Sequence, residues 1–350
     1  MIKINLLRQI PPIPLTIIYA DFRVPINTNS WMHLSIIHRI LYQYVSNSES
    51  SFLHDILTKD FIQQYVSLFE SPDPKETQAV ESFILLVFDT VSGYRQLIFQ
   101  TVLKQILKYL DNFTLYPCIA PCLRFMLHFL KIQQTPLKLP FFDLYKKIIF
   151  PLITSQMSYE FYEPFSLVTE YYVAQDHTLS IWILQEIVKH WPLTDTNKEC
   201  SFINIFTFIA PYLKSDIVLE CGKIIFRILN KALNSSNFKV NASALAVITN
   251  RNFMVSFISQ GEILYPMIMQ GIDKCSYHWN PNIQKTAVDA ARVVVSIKPD
   301  FGANFQRHQL NNPENSSYMK EGWMAILNQA HINDNSINIE KIKDVVLRLS

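Results

Sequence analysis

The sequence is short of glycine and has no long apolar run. It contains 6 glycines in 350 residues, whereas average usage of about 7% would give roughly two dozen. Tight β-turns and glycine-rich phosphate-binding loops are therefore scarce. Lys147, Asn204 and Pro211 interrupt the most apolar regions before they reach the roughly 18 residues that a membrane span requires. The sequence predicts no integral membrane protein and no membrane partner.

The net charge is also low, and the cysteines are not spaced like those of a disulfide framework. The formal net charge of +2 is too small for the basic field that binding to a phosphate backbone requires, so we expect no nucleic-acid partner. The 5 cysteines are odd in number, which is typical of a reducing compartment. Arg8 and Pro11 come too early for the apolar region of a signal peptide. We therefore expect a cytoplasmic protein, with the nucleus as a second location.

What the sequence does contain is apolar residues at helical spacing. Hydrophobic residues make up 49% and charged residues 17%, which is enough apolar surface to build an ordered core. From about residue 31 the apolar residues recur every three or four positions, as in Val80, Phe83 and Val87, and polar breaks with cap and turn residues separate successive runs. The sequence has no strictly alternating runs bounded by glycine. The pattern predicts an all-α protein of repeated helix, turn, helix units.

Two of the polar breaks align at a constant offset. The segments that begin at Asn237 and Asn280 lie 43 residues apart and are each followed by an alanine and an apolar residue at the same distance. Repeats of the HEAT or armadillo kind have units of roughly 40 to 47 residues. We therefore favour an α-solenoid of HEAT-like or armadillo-like repeats over a compact bundle.

Composition changes near both ends of the chain. Pro11, Pro12 and Pro14 exclude a long helix at the beginning, and a polar, asparagine-rich stretch precedes the last apolar runs. We predict an irregular N-terminal arm at 1–30, a HEAT-like α-solenoid at 31–305, a mobile polar loop at 306–317 and C-terminal helices at 318–350.

The familiar enzyme signatures are absent from the sequence, including the phosphate-binding loops, the nucleophile elbow and the His-Glu-x-x-His zinc motif. His33 and His38 are five residues apart, which is not the four-residue spacing of a helical zinc pair. Glu160 and Glu163 have no companion nucleophile, so we interpret them as surface charge. The aromatic residues fall on the helical stripes and do not alternate with Lys and Arg as base-stacking platforms do. We predict no catalytic residue, no metal site and no cofactor.

Several segments resemble one known family, in the same order along the chain. Residues 68–76 (LFESPDPKE) are similar to the family's LFDSEDPRE, and residues 92–95 (SGYR) are similar to its LGLR. Residues 191–204 resemble WPKTHSPKEVMFLNE, and residues 235–245 resemble SSPHFQVAERAL. Over about residues 31–330 the chain resembles the B-prime family of regulatory subunits of protein phosphatase 2A.

This resemblance implies a solenoid without an active site of its own. Such a protein joins the phosphatase scaffold (A) and catalytic (C) subunits and brings substrates to them, with a role in dephosphorylation and signal transduction. A first alternative is a peptide-binding adaptor of the importin kind, although the sequence has no recurring ladder of Trp and Asn. A second is an enzyme of unfamiliar type, which would require a convergent cluster of titratable groups in one pocket.

The family also binds short linear motifs of substrate proteins, of the form Leu-x-x-Ile-x-Glu, in a groove between two successive repeats. By the resemblance, Arg95 and Lys138 stand where the family has a groove arginine and lysine, and Phe88 stands where it has tyrosine. Arg95 could instead make an inter-helix hydrogen bond, and Lys138 could lie in a solvated turn. The candidate groove residues are Leu85, Leu86, Phe88, Arg95, Phe99, Phe125, Phe129, Lys138 and Phe141.

Four of these positions depart from the family pattern. Leu85 and Leu86 replace a His-Arg pair, Phe99 replaces a second arginine, and Phe141 replaces a histidine. Leucine and phenylalanine have no donors for a glutamate or a phosphate. The sequence therefore predicts a groove that binds acidic peptides poorly, and either accepts a more apolar peptide or binds none.

Overall fold

In the described part of the chain the structure is helical, with no strand. It is a computed structural model, and of the predicted segments the loop at 306–317 lies outside the described residues. The arm at 1–30 and the helices at 318–350 lie mostly outside them. The described residues are 30–48, 57–111, 118–155, 157–192 and 194–299, together with 6–8, 10, 53, 324, 328, 329 and 332.

Fifteen α-helices lie within these ranges, and short 3₁₀ or π turns extend or connect several of them. The helices are α1 (Trp31–Asn47), α2 (Lys59–Ser67), α3 (Pro74–Thr90), α4 (Arg95–Asp111), α5 (Ile119–Ile132), α6 (Leu139–Leu144), α7 (Tyr162–Gln175), α8 (Thr178–Lys189), α9 (Thr196–Ile209), α10 (Val218–Leu233), α11 (Phe238–Thr249), α12 (Arg251–Val255), α13 (Gly261–Leu264), α14 (Pro266–Ser276) and α15 (Pro281–Ile297).

The long helices form two layers. In the first layer α1, α3, α5, α7, α9, α11 and α15 pack side by side in this order. In the second layer α2 packs on α4 and α10 packs on α14, while Trp182 of α8 contacts Tyr145 and Phe150 in the turns that follow α6. Helix pairs stacked in one direction are the architecture of an α-solenoid. The predicted fold class is confirmed.

Asparagine and aspartate side chains begin four helices of the first layer. Asp73, Asp195, Asn237 and Asn280 each accept a hydrogen bond of 2.9–3.0 Å from the backbone N–H two residues later. Such N-caps satisfy N–H groups that the helix itself leaves without partners. The two segments offset by 43 residues in the sequence therefore begin equivalent helices, α11 and α15.

One continuous apolar core runs between the layers from α1 to α15. Its largest fully buried rings include Tyr65, Phe83, Phe125 and Phe226, and each buried ring of this size contributes about 1.5 to 3 kcal/mol to the free energy of unfolding.

No described helix is by itself long and apolar enough to cross a membrane, although the bent pair α3 and α4 together reaches that length and composition. The apolar side of this pair is part of the core.

Candidate peptide groove

The candidate groove residues come from two consecutive helix pairs. In the order of the helices, Leu85, Leu86 and Phe88 belong to α3, Arg95 and Phe99 to α4, Phe125 and Phe129 to α5, and Phe141 to α6, where Lys138 is the N-cap. Side chains of four different helices therefore meet between α3–α4 and α5–α6. Whether they bind a peptide stays a prediction.

Five phenylalanines make an aromatic cluster, which we define as Phe88, Phe99, Phe125, Phe129 and Phe141. The rings of Phe99 and Phe129 are stacked with centroids 4.2 Å apart, and Phe88 meets Phe125 edge to face at 5.2 Å. Phe129 also lies 6.1 Å from Phe88 and 6.1 Å from Phe141. Phe88 and Phe125 are buried and the other three are half-buried, so the outer side of the cluster is an aromatic surface.

Arg95 is bound to the C-terminal end of α3. Its Nε donates to the carbonyl of Phe88 at 2.9 Å and one Nη donates to the carbonyl of Asp89 at 3.2 Å. The guanidinium carbon also lies 5.6 Å from the centroid of the Phe88 ring. Cations favour helix C-termini because the last carbonyls have no partner within the helix. Arg95 thus makes the inter-helix hydrogen bond that was the alternative to peptide binding.

The sequence alone did not indicate a contact between a histidine and an aspartate that lies beside the cluster. His128 Nε2 lies 2.8 Å from Asp89 Oδ1, and the His128 ring meets the Phe88 ring edge to face at 6.0 Å. The Asp89 side chain is 49% exposed and that of His128 34% exposed. The two residues are 39 positions apart and meet only because α3 and α5 are neighbours in the first layer. The pair places a carboxylate beside the aromatic surface.

The remaining candidates surround the cluster less closely. Leu85 and Leu86 are half-buried and pack against the core. Lys138 is exposed at the start of α6, and the adjacent Leu139 is 81% exposed. The structure therefore places one exposed cation and one exposed apolar side chain at the start of the helix that carries Phe141. The side chains at positions 85 and 86 offer no hydrogen-bond donor.

Titratable groups also meet outside the groove, where Glu76 lies near Arg8 and His38. Within the described ranges, no group of three His, Cys, Asp or Glu residues is placed to bind a metal ion. An open cavity of about 590 Å³ lies between the N-termini of α9 and α11. Its titratable lining residues are Asp195 and Lys239, and the Asp195 carboxylate already accepts the capping hydrogen bonds of α9.

Comparisons with known proteins agree on one family. A family model described as "Protein phosphatase 2A regulatory B subunit (B56 family)" matches residues 1–330. The human serine/threonine-protein phosphatase 2A 56 kDa regulatory subunit alpha isoform is 22% identical over 334 residues, which cover 93% of this chain and 68% of that protein. The mouse alpha isoform of the same regulatory subunit is 21% identical over 334 residues, covering 93% and 68%. The chain thus spans about two thirds of the length of these relatives.

Proposed function

The chain belongs to the B56 family of regulatory B subunits of protein phosphatase 2A, and from this membership we propose that it binds the scaffold (A) and catalytic (C) subunits and targets them to substrates. The relatives are named as regulatory subunits, so the chain is a regulatory protein and not an enzyme. The observation that carries the proposal is the match of the family model to residues 1–330. It favours the phosphatase over the importin-type adaptor.

The architecture suits this role because a solenoid presents long surfaces to several partners at once. Stacked helix pairs bury their apolar sides in a shared core and leave loops and polar faces exposed. A cytoplasmic location, with the nucleus second, stays a prediction from the use of cysteine.

We further propose that the aromatic cluster binds short linear motifs with apolar anchors. Its outer rings offer the aromatic surface that such anchors fill. Arg95 already uses two of its N–H groups on α3, and Asp89 adds a negative charge beside the site. A glutamate in the peptide would gain little here, which supports a preference for peptides without acidic residues.

The experiment is an affinity purification of the tagged full-length chain from its native cells. We expect a phosphatase catalytic subunit and a longer HEAT-repeat scaffold among the bound proteins. The purified chain alone should release no phosphate from phosphopeptides, while the purified complex should do so. Recovery of nuclear-import cargo without phosphatase subunits would contradict the proposal and favour the importin-type adaptor.

A further inference from the structure

A fully buried carboxylate at the start of α3 binds an arginine from far away in the sequence. The two Nη atoms of Arg8 donate to the two carboxylate oxygens of Glu76 at 2.5 Å and 2.7 Å, across 68 residues. The Glu76 side chain is 0% exposed and that of Arg8 is 26% exposed. This two-point geometry matches the planar guanidinium to the carboxylate and is specific for arginine.

The walls of this site come from three parts of the fold. Ser71 Oγ, in the turn before α3, donates to Glu76 Oε2 at 2.5 Å. His38 Nε2 of α1 lies 3.8 Å from Glu76 Oε1, and His38 Nδ1 lies 2.6 Å from the hydroxyl of Tyr65 in α2. We call these four residues the Glu76 pocket. Their mutual contacts do not involve Arg8, so the solenoid itself supplies the walls of the pocket.

The pocket needs a cation to be complete. A buried carboxylate is costly unless it is paired and hydrogen-bonded, and without Arg8 the described partners of Glu76 are one hydroxyl and one imidazole. Burial raises the pKa of Glu76, but the contacts with His38, Arg8 and Ser71 outweigh burial and lower the pKa to about 2. Glu76 is therefore ionised, and the N-terminal end of α3 adds a favourable field for its charge.

An apolar anchor accompanies the arginine. Leu6 is 0% exposed and is part of the continuous core, and Leu7 and Ile10 pack partly buried against that core. The backbone N–H of Arg8 donates to the carbonyl of Leu6 at 2.9 Å, which makes a compact turn between the two anchors. Leu6 and Arg8 thus bind the solenoid as one short Leu-x-Arg element.

We propose that the Glu76 pocket is a recognition site for Leu-x-Arg peptides. The chain's own residues 6–8 fill this site, and a partner with the same element binds there by displacing residues 6–8. The site goes beyond the proposed phosphatase role and is separate from the aromatic cluster, which lies at the other end of α3. A segment tethered to its own site acts as a competitor with an effective concentration in the range of about 1 mM. A peptide with an intrinsic Kd of about 10 μM would therefore bind wild type roughly a hundredfold more weakly than a chain whose own element is removed.

The test is a titration of a fluorescent peptide with the sequence of residues 4–10 (INLLRQI) against the full-length chain. We expect weak binding to wild type, and binding at least tenfold tighter to the Leu6→Ala/Arg8→Ala variant. Adding Glu76→Gln to this variant should abolish the gain. The neutral amide no longer needs a cation, so the cost that remains in the triple variant is the cavity left by Leu6→Ala. Circular dichroism checks that the variant is folded.

A second peptide separates recognition of the arginine from general binding by the variant, once circular dichroism shows that the variant is folded. The matched control replaces its arginine by alanine (INLLAQI), and it should bind the Leu6→Ala/Arg8→Ala variant at least tenfold more weakly than the original. Equal binding of both peptides to that variant, or equal binding of the original peptide to wild type and variant, would overturn the proposal. Neither readout depends on phosphatase subunits, so its failure is distinct from failure of the proposed function.

Discussion

The two ends of α3 each bind an arginine, in opposite ways. At the N-terminal end Arg8 meets a fully buried carboxylate, Glu76, through two short hydrogen bonds. At the C-terminal end Arg95 meets the exposed last turn through the carbonyls of Phe88 and Asp89. A buried charge requires its partner, whereas helix-end carbonyls can turn to water when the arginine leaves. The same residue type is therefore essential at one end and replaceable at the other.

The largest effect should come from breaking the buried pair. Arg8→Ala leaves Glu76 charged and without its main partner, which costs about 3 to 4 kcal/mol when a buried ion pair is broken from one side. Native-state hydrogen exchange of the amides in α1 and the first turn of α3 measures this local loss. The matched control is Arg8→Ala with Glu76→Gln, which should recover most of the stability; no recovery would mean that Arg8 acts through packing alone.

The change in stability with pH that Glu76 causes at the N-terminal end of α3 should be nearly as large. The pKa of Glu76 is lowered from its ordinary value of 4.5 to about 2, so the folded state favours the ionised form. The stabilisation is complete above about pH 4.5 and is lost as the pH falls towards 2, with a total of about 3 kcal/mol. Denaturation followed from pH 6 to pH 2 should show this loss in wild type. A Glu76→Gln variant with the same acid sensitivity would contradict the assignment.

At the opposite end of α3, removing a ring should have an intermediate effect. Phe129 is half-buried and contacts Phe88, Phe99 and Phe141, so Phe129→Ala should cost about 2 kcal/mol, below the value for a fully buried ring. The unfolding midpoint in urea checks this. Phe129→Leu is the matched control. It should lose about half as much stability as Phe129→Ala, because leucine keeps apolar volume but loses the stacking.

Much of the fold could be predicted from the sequence because its signals are local. Asp73, Asn237 and Asn280 precede apolar runs at helical spacing, and each begins a helix of the first layer. The stacking of the pairs follows because a helix with one apolar side must bury it against a neighbour. Such features depend on residues a few positions apart.

The sites were less predictable because they depend on the register between repeats. Arg8 and Glu76 are 68 residues apart, and Asp89 and His128 are 39 apart, so no local pattern indicates either pair. The residues of the aromatic cluster are predicted as groove residues only through the resemblance to a family. Their helical periodicity by itself predicts only that they belong to the core. The signal for the Glu76 pocket was a single glutamate at the N3 position of α3, which occurs in many helices as a cap.

A smaller effect is expected for restoring the family's donors in the groove. Leu86→Arg with Phe141→His supplies two donors for a glutamate, and each hydrogen bond to a charged group contributes about 1.5 to 3 kcal/mol. Two effects oppose this gain: the double variant loses the Phe129–Phe141 contact, and the nearby Asp89 carboxylate repels a peptide glutamate. We therefore expect about a tenfold increase in affinity for a Leu-x-x-Ile-x-Glu peptide. Fluorescence anisotropy of the labelled peptide measures it, with Leu86→Gln as control. Tight binding by wild type would contradict the poor recognition of acidic peptides.

The smallest effect should follow the loss of Arg95, and it sharpens the contrast between the two arginines. Arg95→Ala removes two hydrogen bonds to carbonyls that can turn to water, so we expect a loss of about 1 kcal/mol in stability, read from the urea midpoint. Arg95→Lys keeps the charge at the helix end and should lose about half as much, because lysine cannot reproduce both hydrogen bonds. If Arg95 instead held a peptide carboxylate, Arg95→Ala would weaken an acidic peptide at least tenfold while leaving the stability unchanged. In that case the exposed Arg95 would be the arginine that recognises ligands, and its hydrogen bonds to the end of α3 would contribute nothing to stability.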